Sequence, residues 1–329
     1  MKYCYIINPI AGQKELPAKL IPLIEDGFKH SNLDYEIAVT QHPKHASEIT
    51  RQLAKTNEAV RICAMGGDGT LNEVVSGAIG FDNVEVGCYP SGSGNDFIKY
   101  FGTREDFIDF EYIVDAPSVE LDVIKINDRY CLNIFSLGID ANVAYDIPHY
   151  RRLPLMSGPM AYNLSLAVNF VKKLGSKITL FANDSDYTFD CLLLAVGNGR
   201  VYGGGYYAAP EAIADDGLLD IVAVKTIPRL RIASVIPVYK KGKHLIGGKV
   251  VESLRDVITF FRTDKLRISA DSEIVVNLDG ESARMKDMEI SVIHKGIRFL
   301  VPTHLTSKEA APGFVTFGEH GRGKKEPTL

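Results

Sequence analysis

Over the first 110 or so residues, short apolar runs alternate with stretches whose apolar positions recur at helical spacing. Lys2-Tyr3-Cys4-Tyr5-Ile6-Ile7, Tyr35 to Val39, Arg61 to Met65 and Val84 to Tyr89 read as strands. Between them, Leu16 to Phe28, then Ala46, Ile49, Leu53 and Ala54, then Leu71, Val74, Val75, Ala78 and Ile79 read as helix faces. Strand and helix in strict alternation predict an α/β domain built on a doubly wound parallel sheet, with the turns at one sheet edge.

Beyond Pro117 the period shortens. Val119 to Ile126 and Tyr130 to Phe135 face each other across Asn127-Asp128, and Lys177 to Ala182 and Tyr187 to Val196 across Asn183 to Asp186. Further strands are predicted at Leu219 to Val224, Val257 to Phe261, Lys265 to Ser269, Glu273 to Leu278, Met288 to His294 and Gly296 to Val301. Two helical stretches interrupt them, Met160 to Leu174 and Arg229 to Leu245. Strands joined by such turns predict an all-β, antiparallel sandwich. The chain therefore divides into an α/β domain over 1–118, a β-sandwich domain over 119–300, a segment at 301–317 that packs back on the first domain, and a polar tail at 318–329.

Composition limits the function classes. The 329 residues, 46% hydrophobic and 24% charged, suit a globular protein with about two cores. A net charge of −4 argues against nucleic acid as partner. No apolar run reaches the ~18 residues that span a bilayer, and the N-terminus enters a strand without a signal-peptide pattern, which predicts a cytoplasmic protein. The five cysteines sit singly in apolar runs, as small hydrophobes do in a reducing compartment. His42 and His45 are read as surface histidines, since two ligands do not make a zinc site.

Chemistry concentrates at the turns. Gly66-Gly67-Asp68-Gly69-Thr70 joins a strand to a helix, and glycines there let backbone amides close on an anion at the positive helix end. A carboxylate in a phosphate cradle implies a divalent cation between the two charges. Two other fingerprints fail. Gly242 to Val250 has Gly248 where a P-loop needs lysine, and Gly92-Ser93-Gly94-Asn95-Asp96-Phe97 has Phe97 where a dinucleotide motif needs its third glycine.

Taken together, Asn8-Pro9-x-x-Gly12, Gly66 to Glu73, Pro90-x-Gly92-Ser93-x-Asn95-Asp96-Phe97, Asp215-Asp216-Gly217-Leu218-Leu219-Asp220 and Leu278-Asp279-Gly280-Glu281 resemble, in order, the soluble bacterial diacylglycerol kinase family, related to sphingosine and ceramide kinases. The resemblance spans roughly residues 3 to 301. It implies a nucleotide domain like those of phosphofructokinases and NAD kinases, a β-sandwich lipid domain, and ATP in the cleft between them. Asn8, Gly12 and Thr40 would line the nucleotide, with Gly66, Gly67, Asp68, Gly69, Thr70, Asn72 and Glu73 from one turn and Gly92, Ser93, Asn95 and Asp96 from the other. Ser93 stands where the family usually has threonine. The same resemblance implies Glu281 as catalytic base, Asp68 as organiser of Mg²⁺, Asp122 in the same network, and a structural Mg²⁺ site at Asp216 with the carbonyls of Ile213 and Leu218.

The implied activity is transfer of the ATP γ-phosphoryl group to a lipid alcohol, diacylglycerol giving phosphatidic acid, on a lipid substrate at the membrane surface. The basic clusters at Tyr239 to His244, with Arg229 and Arg231, and at Tyr150 to Met156 are the candidates for peripheral membrane contact. A homodimer is compatible with the sequence and not specified by it. The alternatives are an NAD kinase-like enzyme, a sphingoid or ceramide-type kinase, and a catalytically silent nucleotide- or lipid-binding regulator.

Overall fold

The computed structural model describes residues 1–12, 15–153, 156–172 and 174–306; the tail predicted at 318–329 lies outside them. The chain opens β1 (Lys2–Ile7), α1 (Leu16–Phe28), β2 (Asp34–Val39), α2 (His45–Ala54), β3 (Val60–Gly66), α3 (Asp68–Ala78) and β4 (Val84–Pro90). These strands are all parallel, in the order β2-β1-β3-β4. Alternation along β1 decides which helix covers which face. Tyr3, Tyr5 and Ile7 pack with Leu16, Leu20, Ile24 and Phe28 of α1, while Cys4 and Ile6 pack with Ala46 and Ala54 of α2 and Leu71, Val74 and Ala78 of α3. All five cysteines are buried and free.

After the short α4 (Tyr112–Asp115) come β5 (Ser118–Ile126), β6 (Arg129–Cys131), β7 (Ile134–Gly138), α5 (Ile139–Arg151), α6 (Gly158–Val171), β8 (Ser176–Ala182), β9 (Ser185–Gly197), β10 (Leu219–Lys225) and α7 (Arg229–Lys240). The chain closes with β11 (Leu245–Ile246), β12 (Lys249–Val250), β13 (Ile258–Thr263), β14 (Lys265–Leu278), β15 (Glu281–Leu300) and α8 (Thr303–Thr306). This half is β-sandwich-like, its strands antiparallel in the order β13-β10-β9-β7-β14-β15. Inner-face residues such as Phe135, Leu194, Ile221, Ile268 and Ile290 form one core, and the outer face of β7, β9 and β10 packs with α7 in another.

Three local readings of the sequence change. The strand expected over Tyr130 to Phe135 breaks after Cys131, because the amides of Leu132, Asn133 and Ile134 turn to the Asp279 carboxylate instead of a neighbouring strand. The separate strands expected at 265–269 and 273–278 run together as β14, with a register shift between Ser269 and Ile274. Those at 288–294 and 296–301 merge into β15. Helix α5 was not expected at all: one of its faces lines a cavity, so only Ala141 and Val143 are buried and the apolar period is weak.

Strand β15 joins the halves. It pairs with β14 and β5 and ends parallel to β4, with Arg298 opposite Glu85 and Phe299 opposite Val86. Beyond it, Leu305 of α8 enters the core that holds Phe97, Phe101 and Phe107 of the first half. Among the described residues no helix is long and apolar enough to cross a membrane.

Candidate active site

The two glycine turns are packed on each other. A Cβ on Gly92 would stand 2.5 Å from the Gly67 Cα, and one on Gly94 would stand 2.7 Å from an Asp68 carboxylate oxygen. Gly12, at φ 70°, would drive a Cβ into the Ser91 carbonyl. Side chains then lock the corner: Asn8 Nδ2 donates to Thr70 Oγ1 at 2.9 Å, and Asn95 Nδ2 donates to the Gly66 carbonyl at 3.0 Å. Thr40 is tied in by its amide, which donates to the Ile7 carbonyl at 2.9 Å. Asn8, Gly12, Thr40, Gly66 to Thr70, Gly92, Ser93 and Asn95 therefore gather at one edge of the parallel sheet.

The charges at this corner are unbalanced. Asp68 accepts from the Asp96 amide at 2.7 Å, yet burial and then the Asp96 carboxylate push its own carboxyl up to about 6. Asp96 pairs with Lys99 and accepts from the Gly204 amide at 3.2 Å, which links the turn to the second half. Two carboxylates beside a turn pair in which a Cβ on Gly92 or Gly94 would clash make an oxygen-rich donor set that fits a divalent cation.

Opposite this corner lies the hairpin between β14 and β15. Leu278 pairs with Glu281 across the two-residue turn Asp279-Gly280, both at positive φ as a type I′ turn requires. Asp279 is 9% exposed, and its carboxylate accepts from the amides of Leu132, Asn133 and Ile134, from Cys131 Sγ, and from Asn72 Nδ2 at 2.9 Å. Asn72 belongs to α3, so one buried carboxylate bolts the second half to the glycine-turn helix. Two residues on, Glu281 projects toward that helix, its Oε1 3.8 Å from where a Gly69 Cβ would be. One side of Glu281 is open to solvent; on the other, desolvation and then the Glu73 charge raise its carboxyl above the ordinary range.

Three residues named from the sequence sit elsewhere. Glu73 accepts from the Lys44 and Ala46 amides and so caps α2. Asn72 is engaged with Asp279 and the Tyr130 carbonyl. Asp122, expected in the Asp68 network, is fully buried in β5 at the acidic loop, accepting from His294 Nδ1 at 2.8 Å, the Lys295 amide and the Gly217 amide. The charge neighbours of Asp68 are Asp96 and Asp279, whereas Asp122 and Asp215 act on Asp216. Asp216 accepts from the Leu218 amide at 3.0 Å, and desolvation raises its carboxyl; Ile213 and Leu218 flank it, half-buried.

From the corner a cavity of about 480 Å³ runs under α5, α6 and α7. Its mouth carries Asp68, Ser93 and Asp279, and its walls Val143, Leu166 and Val235. No periodicity announces it, because its lining is contributed by three helices, a sheet face and the loop around Tyr202, which meet only in space.

The chain is similar to known proteins along most of its length. It matches the family described as "Diacylglycerol kinase catalytic domain" over residues 2–126 and that described as "YegS C-terminal NAD kinase beta sandwich-like domain" over residues 133–301. It is 30% identical over 294 residues to YtlR, a lipid kinase candidate of Bacillus subtilis, covering 82% of this chain and 93% of that protein. It is 24% identical over 300 residues to a diacylglycerol kinase of the same organism, covering 90% and 95%. A crystal structure of a diacylglycerol kinase candidate from Bacillus anthracis superposes with a TM-score of 0.70 at 22% identity, over 92% of this chain and 98% of that one.

Proposed function

The chain belongs to the diacylglycerol kinase catalytic-domain family, and from that premise we propose that it is a lipid kinase that transfers the γ-phosphoryl group of ATP to the hydroxyl of a lipid alcohol. Diacylglycerol, with phosphatidic acid as product, is the first acceptor to test, on the names of the relatives. The observation that carries the reading is the meeting of three parts at one corner: the glycine turns, the Glu281 carboxylate, and the mouth of an apolar cavity.

The backbone of Gly66 to Thr70 and of Gly92 to Asn95 cradles the phosphates, with Asn8 and Thr70 holding the turn rigid. Asp68 and Asp96 would hold Mg²⁺, which would offset charge on the transferring group. Glu281 accepts the proton of the attacking hydroxyl; its raised carboxyl makes it a better base than an ordinary glutamate. Asp216, with the carbonyls of Ile213 and Leu218, would hold a second, structural Mg²⁺, and Asp122 positions that loop against the bend of β15.

The membrane-docking reading draws on side chains exposed on and just after α5, α6 and α7. Leu230 is 91% and Val171 76% exposed, and Arg151, Arg152, Lys240 and Lys241 are exposed nearby. Apolar side chains among cations suit an anionic membrane surface.

The test is to incubate the protein with labelled ATP and either a total lipid extract or NAD, and to identify the products by mass spectrometry. A phosphorylated lipid alcohol is expected, and Glu281→Gln lowers its rate by ~10²–10⁴-fold. Phosphorylated NAD with no labelled lipid refutes the reading.

A further inference from the structure

Along the sequence His42 and His45 stand one ligand short of a metal site, and the fold supplies it. His42-Pro43-Lys44-His45, between β2 and α2, is a type II turn: the His45 amide donates to the His42 carbonyl at 3.2 Å, Pro43 stands second, and Lys44 stands third at φ 70°, ψ 0°. That third position favours glycine, so the turn is held against the strain of a left-handed lysine. Closing it stacks the two imidazoles, with centroids 4.6 Å apart and planes 23° from parallel. Glu48, three residues beyond His45 on the same face of α2, brings its Oε2 to 3.9 Å from His42 Nε2. One ligand atom from each of the three side chains lies within 4.8 Å of the others, and among the described residues no other three histidine, cysteine or carboxylate side chains gather so closely.

We propose that His42, His45 and Glu48 form a site for a divalent transition ion, Zn²⁺ first among them, separate from the carboxylate corner at Asp68 and Asp96. Three observations support it: ring orientation, ligand type and place.

His42 Nδ1 lies 3.0 Å from the Pro43 carbonyl, which can only accept, so that nitrogen carries the proton and Nε2 turns its lone pair toward Glu48. A backbone carbonyl on the far nitrogen is the usual way in which a metal-binding imidazole is oriented. His45 offers Nδ1, whose lone pair now accepts from the Gln41 amide at 3.1 Å; a metal ion takes the place of that proton.

Two imidazoles and one carboxylate suit Zn²⁺, whereas Mg²⁺ takes oxygen donors. Tetrahedral bonds of ~2.0–2.1 Å set ligand atoms ~3.4 Å apart, and small rotations of the exposed His42 and Glu48 side chains bring theirs in. The fourth position is left to water.

The turn follows Thr40 directly, and Glu73 of α3 already grips it through the Lys44 and Ala46 amides. An ion bound to His42, His45 and Glu48 staples this strained turn to the first turn of α2, beside the glycine corner.

The experiment titrates Zn²⁺ by calorimetry into the untagged full chain in excess Mg²⁺. Neither ATP nor lipid is present, so the outcome is independent of the lipid-kinase reading. One Zn²⁺ per chain is expected to bind, and His42→Ala and Glu48→Gln each to weaken it by ~10-fold or more. Their urea midpoints in EDTA, unchanged from wild type, show that both variants fold. Co²⁺ in place of Zn²⁺ is expected to give the strong visible absorption of a four-coordinate site, lost in the same variants. No binding, Zn²⁺ affinity unchanged in either variant, or binding abolished by Mg²⁺ overturns the proposal.

Discussion

Asp279 and Glu281 sit two residues apart and do different work. Asp279 is satisfied by donors from three consecutive amides, a thiol and Asn72, so its side chain is structural although it lies at the site. Asp279→Ala strands those buried amides and is expected to destabilise the chain by about 4 kcal/mol in urea unfolding. An unchanged midpoint would show that the hub carries no energy. The sequence presents Asp279-Gly280 as a hairpin turn, and it is one; that its carboxylate also gathers donors from 145 to 207 residues upstream is invisible along the chain. Asp122 teaches the same lesson, since alternation in its strand suggests exposure and the fold buries it completely.

At the scale of elements, the glycine turns depend on their mutual contact more than on either motif. Gly92→Ala places a Cβ against the Gly67 backbone, so the turns must part by an ångström or so. A loss of about a hundredfold in kcat/KM for ATP is expected, read from steady-state kinetics. The second prediction concerns the end of α7. His244 is fully buried, its Nε2 on the Ala208 carbonyl, and desolvation lowers its imidazole to about 4. Its folded value lies below the unfolded value of 6.5, so the unfolded chain takes up the proton first as pH falls. Stability from this group is intact above pH 6.5 and is lost progressively down to about 4, by roughly 3 kcal/mol in all. His244→Gln should flatten that part of the urea-midpoint profile, and a profile identical to wild type would exclude the histidine as its source.

Over the whole molecule, β15 ties β14 and β5 to β4, so cleft and cavity share one framework. The exposed start of α7 predicts an interface effect: Leu230→Glu, at a side chain 91% exposed, leaves stability and turnover of dissolved short-chain lipid intact while lowering turnover on anionic vesicles about tenfold. Equal rates on vesicles would refute membrane contact through α7. The parallel alternation of strand and helix, the antiparallel half and the glycine turns were legible because each is encoded by neighbours in sequence: period, turn residues, and motif order. The merging of strands into β15, the burial of Asp122, helix α5 and the lining of the cavity were not. Each depends on groups distant along the chain meeting in space, where desolvation and the need to satisfy buried donors outweigh local preference. Local sequence therefore specified the glycine corner; tertiary packing specified what stands beside it.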